Sequence, residues 1–201
     1  MQTTYISATE AVARVRSGSH IHLSSIASVP LVLVQALKRR ADAGEVRDLH
    51  FHHFHTEGDA PYSAPQYAGV FFDQGFFVGP NVRSSVNAGY ADYLPAHLNE
   101  SQAMYRSGAL PCDVAMVQVS LPDAEGMVSL GTSVDCSVAA IEVAALKIAV
   151  VNPHVPFAYG DLVPLAAFDC LVYDDTPLIT KDYVYPSEVD RQIGKNCSEL
   201  V

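Results

Sequence analysis

The sequence predicts an α/β fold in which an open parallel or mixed sheet is flanked by helices. Short apolar segments of strand length alternate along the chain with segments whose apolar residues recur at helical spacing. One short segment, residues 114–119, is apolar at every position except Gln118. A continuous apolar run of this length is typical of a strand that is buried on both faces of a parallel sheet.

The first half of the chain contributes three predicted strand regions and one helix. Residues 20–24 alternate in polarity, and residues 46–54 and 71–78 are rich in aromatic or branched side chains. We expect residues 71–78 to form a pair of short strands around Gly75. Residues 31–37 have helical apolar spacing, and a proline suits the first turn of a helix, so this helix is predicted to begin near Pro30.

The second half continues the alternation. Val134, Val138, Ile141 and Ala145 mark one face of a predicted helix, and the apolar segment after them, residues 146–151, is predicted to be a strand. Two further short strands are predicted within residues 163–172, and a polar helix within residues 186–200. No repeat or linker divides the chain, so residues 1–201 are predicted to form a single domain.

Composition excludes some classes of partner. Hydrophobic residues make up 49% of the chain and charged residues 17%, which favours a surface partly covered by another chain, as in a homo-oligomer. The net charge is -10 with 12 Lys and Arg, so we expect no nucleic-acid partner.

Cysteine usage and hydropathy indicate a compartment. The four cysteines show no CxxC spacing, so neither a zinc site nor a disulfide framework is predicted. No apolar run reaches the length of a membrane span, and the first residues lack a signal pattern. We therefore expect a soluble, cytoplasmic protein with no membrane partner.

Several motifs together resemble one enzyme family. The segment Asp123–Asp135 is accompanied by Asn81-Val-Arg83, Asp92-Tyr-Leu-Pro95 and Gly160-Asp161. From about Val12 to Val201 the chain resembles the amino-terminal half of the acetyl-CoA hydrolase/transferase family, the CoA-transferases of the 4-hydroxybutyrate and butyryl-CoA:acetate type. The resemblance implies a family I-like CoA-transferase amino-terminal domain, from which the carboxy-terminal catalytic half is absent.

The same resemblance implies a mechanism. A glutamate in the second half attacks an acyl-CoA thioester, and a glutamyl-CoA thioester then passes CoA to an incoming short carboxylate. The active site lies in the cleft between the two halves. We therefore expect no catalytic residue in this chain, which would be inactive alone. CoA enters as a substrate thioester, no cofactor is expected, and the expected partner is the second half or a second subunit.

The loop Ser24–Ala27 between the first strand and its helix is the first candidate site. Small residues allow a ligand to approach the backbone, and a helix amino terminus favours negative charge. The resemblance implies that Ser24, Ser25, Ile26 and Ala27 line the acyl or carboxylate pocket, with Ser25 at the position of the family's usual histidine. An ordinary strand-helix turn remains the alternative from the residues alone.

The second candidate site is Gly131-Thr132-Ser133, where the glycine permits close approach and either hydroxyl could cap the next helix. The resemblance places this stretch near the active-site cleft.

Residues at the end of the predicted strand 114–119, and residues after a predicted helical turn at 81–86, form the third set of candidates, as pocket-lining positions. They are Asn87, Gly89, Gln118 and Ser120. Ser25, Ile26, Tyr90 and Met116 suggest that the pocket is small and partly apolar.

A histidine-rich segment, residues 50–57, is a possible metal motif. Period two places His50 and His52 on one strand face and His53 and His55 on the other, so they cannot all meet one ion, and no metal site is expected. Glu57 follows in a His-Thr-Glu run like the family's catalytic run, but that run belongs to the second half. Glu57 is therefore not assigned as the nucleophile.

Three alternatives to the transferase stay open: an acyl-CoA hydrolase of the same family, a non-catalytic binding or interaction subunit, and a metal hydrolase that uses the histidine strand.

Overall fold

A computed structural model describes residues 4–200 of the protein. Its main feature is a sheet of seven parallel strands, and a second, antiparallel sheet of two strands packs beside it. The strands are β1 His20–Leu23, β2 Leu49–His53, β3 Phe71–Gly75, β4 Ala91–Tyr93, β5 Val114–Val119, β6 Met127–Ser129, β7 Leu146–Val151, β8 Leu162–Pro164 and β9 Cys170–Tyr173. Strands β6 and β8 form the small sheet.

Residues 4–200 contain six α-helices. They are α1 Ala8–Val12, α2 Leu31–Asp42, α3 Arg83–Asn87, α4 Ser101–Ser107, α5 Ser137–Val143 and α6 Glu188–Ser198. Of these, α6 has no buried residue. Short 3-10 turns occupy Pro61–Ser63, Pro65–Tyr67, Leu98–Glu100 and Leu165–Ala167. No helix within residues 4–200 is long and apolar enough to cross a membrane.

The strand order of the large sheet is β4-β3-β2-β1-β5-β7-β9. The chain adds β2, β3 and β4 on one side of β1, and then returns to add β5, β7 and β9 on the other side. The order therefore reverses between β1 and β5. In open parallel sheets, ligands bind outside the carboxyl ends of the strands near such a reversal.

Apolar side chains cover both faces of the sheet. One face packs Ile21, Phe51 and Met116 against α1 and α2, and the other packs Ala115 and Val117 against α5 and its neighbours. Strand β5 is buried at all its positions. This double burial explains why its sequence is apolar without alternation.

Most predicted elements are confirmed, and the prediction for residues 71–78 is wrong. That segment contains one strand, β3, which ends at Gly75, and the N–H groups of Phe76 and Phe77 beyond it bond to the carbonyls of His53 and Phe54. The helix predicted from Val134 begins later, at Ser137. Short elements with weak patterns, such as α1, α4, β4 and β6, were not individually predicted.

Candidate functional site

The loops that follow the parallel strands meet at the carboxyl edge of the sheet. Residues after β1, β2 and β3 lie side by side there because the strands are in parallel register. The N–H of Ile26 donates to the carbonyl of His55 at 2.7 Å, which joins the loops after β1 and β2. The loop 131–135 approaches the same edge from the second half of the chain.

A cavity of about 460 Å³ opens at this edge. Its wall is mostly apolar and aromatic, with a few polar groups among the apolar side chains. The lining residues are Ser25, Ile26, Phe54, His55, Phe76, Phe77, Tyr93, Ala96, Leu98, Ser133 and Asp135. An apolar pocket with a few convergent polar groups is typical of a small-molecule site.

Three of the predicted residues after β1 form a rigid corner. Ser24 is buried, and its Oγ accepts the N–H of Gln118 at 3.2 Å. Ser25 is also buried, lines the cavity, and accepts the N–H of Phe54 at 3.1 Å. Ile26 has a φ of 53°, in the left-handed region that branched side chains rarely adopt. Strained backbone of this kind is concentrated at functional sites.

Of the predicted loop Gly131–Ser133, Ser133 lines the cavity, whereas Gly131 and Thr132 are not among the lining residues. Thr132 Oγ1 and Ser28 Oγ are 2.8 Å apart, which ties this loop to the one after β1. Ser133 lines the cavity and donates to Asp135 Oδ2 at 2.8 Å. The predicted capping by Thr132 or Ser133 is wrong. Asp135 Oδ1 instead accepts the N–H groups at the start of α5, because the helix begins two residues beyond that carboxylate.

Gly131 has a φ of 66°, and a Cβ built there would lie 2.3 Å from Val155 Cγ1. Both the backbone conformation and the space therefore require glycine at this position.

Ala27, Gln118 and Ser120 lie at the same edge but outside the main cavity. Ala27 and Gln118 line a smaller crevice below the segment 174–179. The Gln118 Oε1 accepts from Asn152 Nδ2 at 3.3 Å. Ser120 Oγ accepts the N–H of Ser129 and so joins β5 to the small sheet.

The structure does not bring Asn87 and Gly89 to this edge. They precede β4, so they lie at the amino ends of the strands, where Gly89 and Tyr90 border a separate depression with Phe72. Met116 is fully buried in the core. The suggestion of a small pocket that includes Tyr90 and Met116 is therefore wrong, because neither lines the cavity.

Beside the cavity, three potential metal ligands form what we call the His22 cluster. His22, Asp135 and Cys136 each place one ligand atom within 4.8 Å of the others. Each already has protein partners: His22 Nε2 lies 2.9 Å from Ser137 Oγ, and His22 Nδ1 lies 3.2 Å from Tyr105 OH. Burial lowers the pKa of His22 to about 4, so the ring is neutral at physiological pH. Hydrogen bonding alone accounts for the arrangement.

The histidine-rich strand follows the predicted alternation. His50 and His52 share a sheet face with His20, whose ring stacks on that of His50 with centroids 4.5 Å apart. His53 lies on the opposite face, where its Nε2 is 2.7 Å from Asp73 Oδ1. His55 lies beyond the end of β2 at the cavity.

Glu57 is an ion-pair partner at the rim of this edge. Its Oε1 accepts from Lys181 Nζ at 2.6 Å and lies 3.8 Å from His55 Nε2. Lys181 belongs to a segment that crosses the sheet edge, and this segment also packs Ile179 onto Gly58.

Several cavity residues were not predicted as site residues. They are Phe54, His55, Phe76, Phe77, Tyr93, Ala96, Leu98 and Asp135. Most follow the carboxyl ends of β2, β3 and β4. His55 directly follows a predicted strand, and Phe54, Phe76 and Phe77 lie within predicted strand segments, which was the available signal. Tyr93, Ala96 and Leu98 had no such signal, because β4 was not predicted. The pairing of the strands was needed to bring all of them together.

An open parallel sheet whose loops converge on an apolar cavity is the arrangement typical of α/β domains that bind small molecules. The family model for the acetyl-CoA hydrolase/transferase N-terminal domain matches residues 2–180. The chain therefore belongs to this family.

Characterised relatives and solved structures agree with this assignment. A 4-hydroxybutyrate coenzyme A transferase of Clostridium kluyveri is 32% identical over 197 residues, which cover 98% of this chain and 46% of the relative. The structure of a 4-hydroxybutyrate CoA-transferase from Porphyromonas gingivalis has a TM-score of 0.79 at 28% identity, covering 98% of this chain and 45% of that one.

RipA from Yersinia pestis, at 24% identity and a TM-score of 0.89, shows the same fold over 98% of this chain and 48% of its own. The match to the Clostridium kluyveri transferase takes in nearly all of this chain, but the chain spans about half the length of that relative.

Proposed function

We propose that this chain is the amino-terminal domain of an acyl-CoA:carboxylate CoA-transferase for short acyl groups, and that it forms the acyl or carboxylate side of the active-site cleft. The observation that carries the proposal is the cavity at the carboxyl edge, where the loops after β1 and β2 meet the loop 131–135 in a member of this family. In this proposal the catalytic glutamate belongs to a second half. The Clostridium kluyveri transferase is long enough to contain such a half, because the match covers 46% of that relative.

The proposed reaction has two exchanges. The glutamate carboxylate attacks the acyl-CoA carbonyl, forming an acyl-glutamyl anhydride and releasing CoA thiolate. The thiolate then attacks the glutamyl carbonyl, which gives a glutamyl-CoA thioester and the free carboxylate of the donor. An incoming carboxylate reverses the two steps and leaves as the new acyl-CoA. Because a carboxylate is a weak nucleophile, positioning of the acyl group contributes much of the rate.

In this scheme the described residues position the substrate and do not react. The rigid corner at Ser25 and Ile26 places a hydroxyl and an apolar side chain on one wall of the cavity. Ser133 and Asp135 also line the cavity. The hydrogen bond between Ile26 and His55 holds two of the loops in register, so the cavity is preorganised before a substrate binds.

The test is reconstitution. The 201-residue chain is mixed, or fused, with the second half of the Clostridium kluyveri transferase, and CoA transfer from butyryl-CoA to a panel of short carboxylates is followed. We expect no transfer by either part alone and transfer by the combination. Transfer by this chain alone would contradict the assignment of the nucleophile to a second half and would direct attention to Glu57.

Two other functions are distinguished by the same assay. Release of CoA without an acceptor acid would favour a hydrolase, since water can intercept the glutamyl thioester. A stable complex that neither transfers nor hydrolyses would favour an interaction subunit.

A further inference from the structure

The chemistry of the cavity wall points to a substrate class. We propose that the cavity selects uncharged, apolar acyl groups of about four carbons or more, and discriminates against acetyl and dicarboxylic acyl groups. This inference rests on the proposed function, because it assumes that the cavity receives the acyl group of a carboxylic acid or its CoA thioester.

Size is the first argument. The cavity measures about 460 Å³. A protein cavity of about 150 Å³ is enough to enclose a benzene ring, so this cavity has room for acyl groups well beyond acetyl. An acetyl group would contact only a small part of the wall and leave the rest in water. A longer apolar chain gains up to about fourfold in affinity for each buried methylene.

The apolar lining is the second argument. Four hydrophobic side chains of the wall remain substantially exposed: Ile26 at 39%, Phe77 at 58%, Tyr93 at 50% and Leu98 at 68%. The rings of Phe54 and Phe76, which also line the cavity, stack with centroids 5.1 Å apart. A flexible apolar acyl chain that covers these surfaces removes them from water, which is the main source of affinity for such a ligand.

Charge is the third argument. Among the described residues that line the cavity there is no lysine or arginine. His55 is the basic side chain of the lining, and its Nε2 lies 3.8 Å from Glu57 Oε1, so any positive charge on the ring faces a carboxylate of the protein. Asp135 adds a negative charge to the wall. The distal carboxylate of a succinyl group would lose water and meet this charge without a cationic partner.

The first experiment measures binding to the 201-residue chain itself, by ligand-observed NMR with acetate, butyrate, hexanoate and succinate. We expect hexanoate to bind at least about tenfold more tightly than acetate, with butyrate between them. Succinate should bind at least about tenfold more weakly than butyrate. Equal affinities for the four acids, or tighter binding of succinate, would overturn the proposal.

A charge-introducing variant with a matched control localises the effect. Leu98→Arg places a cation at the cavity, and because this side chain is 68% exposed the substitution removes little core packing. We expect Leu98→Arg to reduce the ratio of the affinities for butyrate and succinate at least about tenfold. Leu121→Arg is the matched control, because Leu121 is 46% exposed and does not line the cavity. It should leave the ratio of the two affinities unchanged. Equal effects of the two variants would overturn the assignment of selectivity to this cavity.

Transfer by the reconstituted enzyme separates this inference from the proposed function. Both the transferase function and the selectivity of the cavity are supported if transfer from butyryl-CoA is about fifteenfold faster than from acetyl-CoA, and transfer from succinyl-CoA is slower still. The expected binding order without any transfer would support the selectivity of the cavity and refute the transferase. Transfer that is equally fast from acetyl-CoA or succinyl-CoA would support the transferase and refute the selectivity.

Discussion

Acid should destabilise this domain in a pH range where carboxylates remain ionised, because two histidines are buried in the neutral form. Burial lowers the pKa of His22 to about 4 and that of His52 to about 3. In the unfolded chain both rings titrate near pH 6.5. Below that pH the unfolded state takes up two protons that the folded state does not, so stability falls as the pH falls.

The magnitude follows from the width of the window. The free energy of unfolding has its full value above about pH 6.5. Below that pH each histidine lowers it by about 1.4 kcal/mol per pH unit, until the pKa of that histidine in the folded state is reached. Between pH 7 and pH 5 each residue therefore removes about 2 kcal/mol from the free energy of unfolding, and the pair about 4 kcal/mol. This is a large part of the 5–15 kcal/mol that typically holds a domain folded.

The assay is urea denaturation of the 201-residue chain at a series of pH values from 7.5 to 5. His52→Gln keeps a polar group beside Gln74, whose Oε1 lies 3.2 Å from His52 Nε2, and should reduce the loss of stability between pH 7 and pH 5 by about 2 kcal/mol. His154→Gln, at an exposed histidine, is the matched control and should leave the dependence unchanged. The reasoning is refuted if the free energy of unfolding of the wild-type chain falls by less than about 1 kcal/mol between pH 7 and pH 5. It is also refuted if the free energy of unfolding of His52→Gln depends on pH as steeply as that of the wild-type chain.

Three further predictions concern packing and metal. Gly131→Ala should lower the free energy of unfolding by about 2–3 kcal/mol more than Gly126→Ala, because both glycines have positive φ but only a Cβ at Gly131 meets Val155; a similar loss in both variants, measured by urea denaturation, would contradict the clash. Tyr105→Phe should cost about 1–3 kcal/mol in the same assay by leaving His22 Nδ1 without its hydroxyl partner, and an unchanged midpoint would count against that bond. Elemental analysis of the purified chain should find well below one equivalent of zinc, since hydrogen bonds satisfy the His22 cluster; stoichiometric zinc would instead revive the metal-hydrolase alternative.

Local pattern was sufficient for the longer elements. Strand β5 and strand β7 were placed at their observed bounds, because burial on both faces produces continuous apolar segments that need no knowledge of their neighbours. The segment after Phe71 was misjudged, since its aromatic residues suit a strand equally well whether they pair in a sheet or line a cavity. In the structure Phe76 and Phe77 lie beyond β3 and line the cavity, and their N–H groups bond to the carbonyls of His53 and Phe54.

The candidate site was only partly predictable. Ser25 and Ser133 were proposed from short motifs, and both line the cavity. Asn87 was proposed from a polar position after a helical turn, but parallel strand order places it at the opposite edge. Leu98 had no signal of its own, because an isolated exposed leucine is common on protein surfaces.

The sequence by itself determined the class of fold, the bounds of its strongest strands and the family of the chain. These follow from local periodicity and from short motifs, which are properties of neighbouring residues. The tertiary structure decided which strand ends share an edge, how large the cavity is and which charges face it. Those properties depend on the order in which strands pair, and that order is set by packing between segments far apart in the chain.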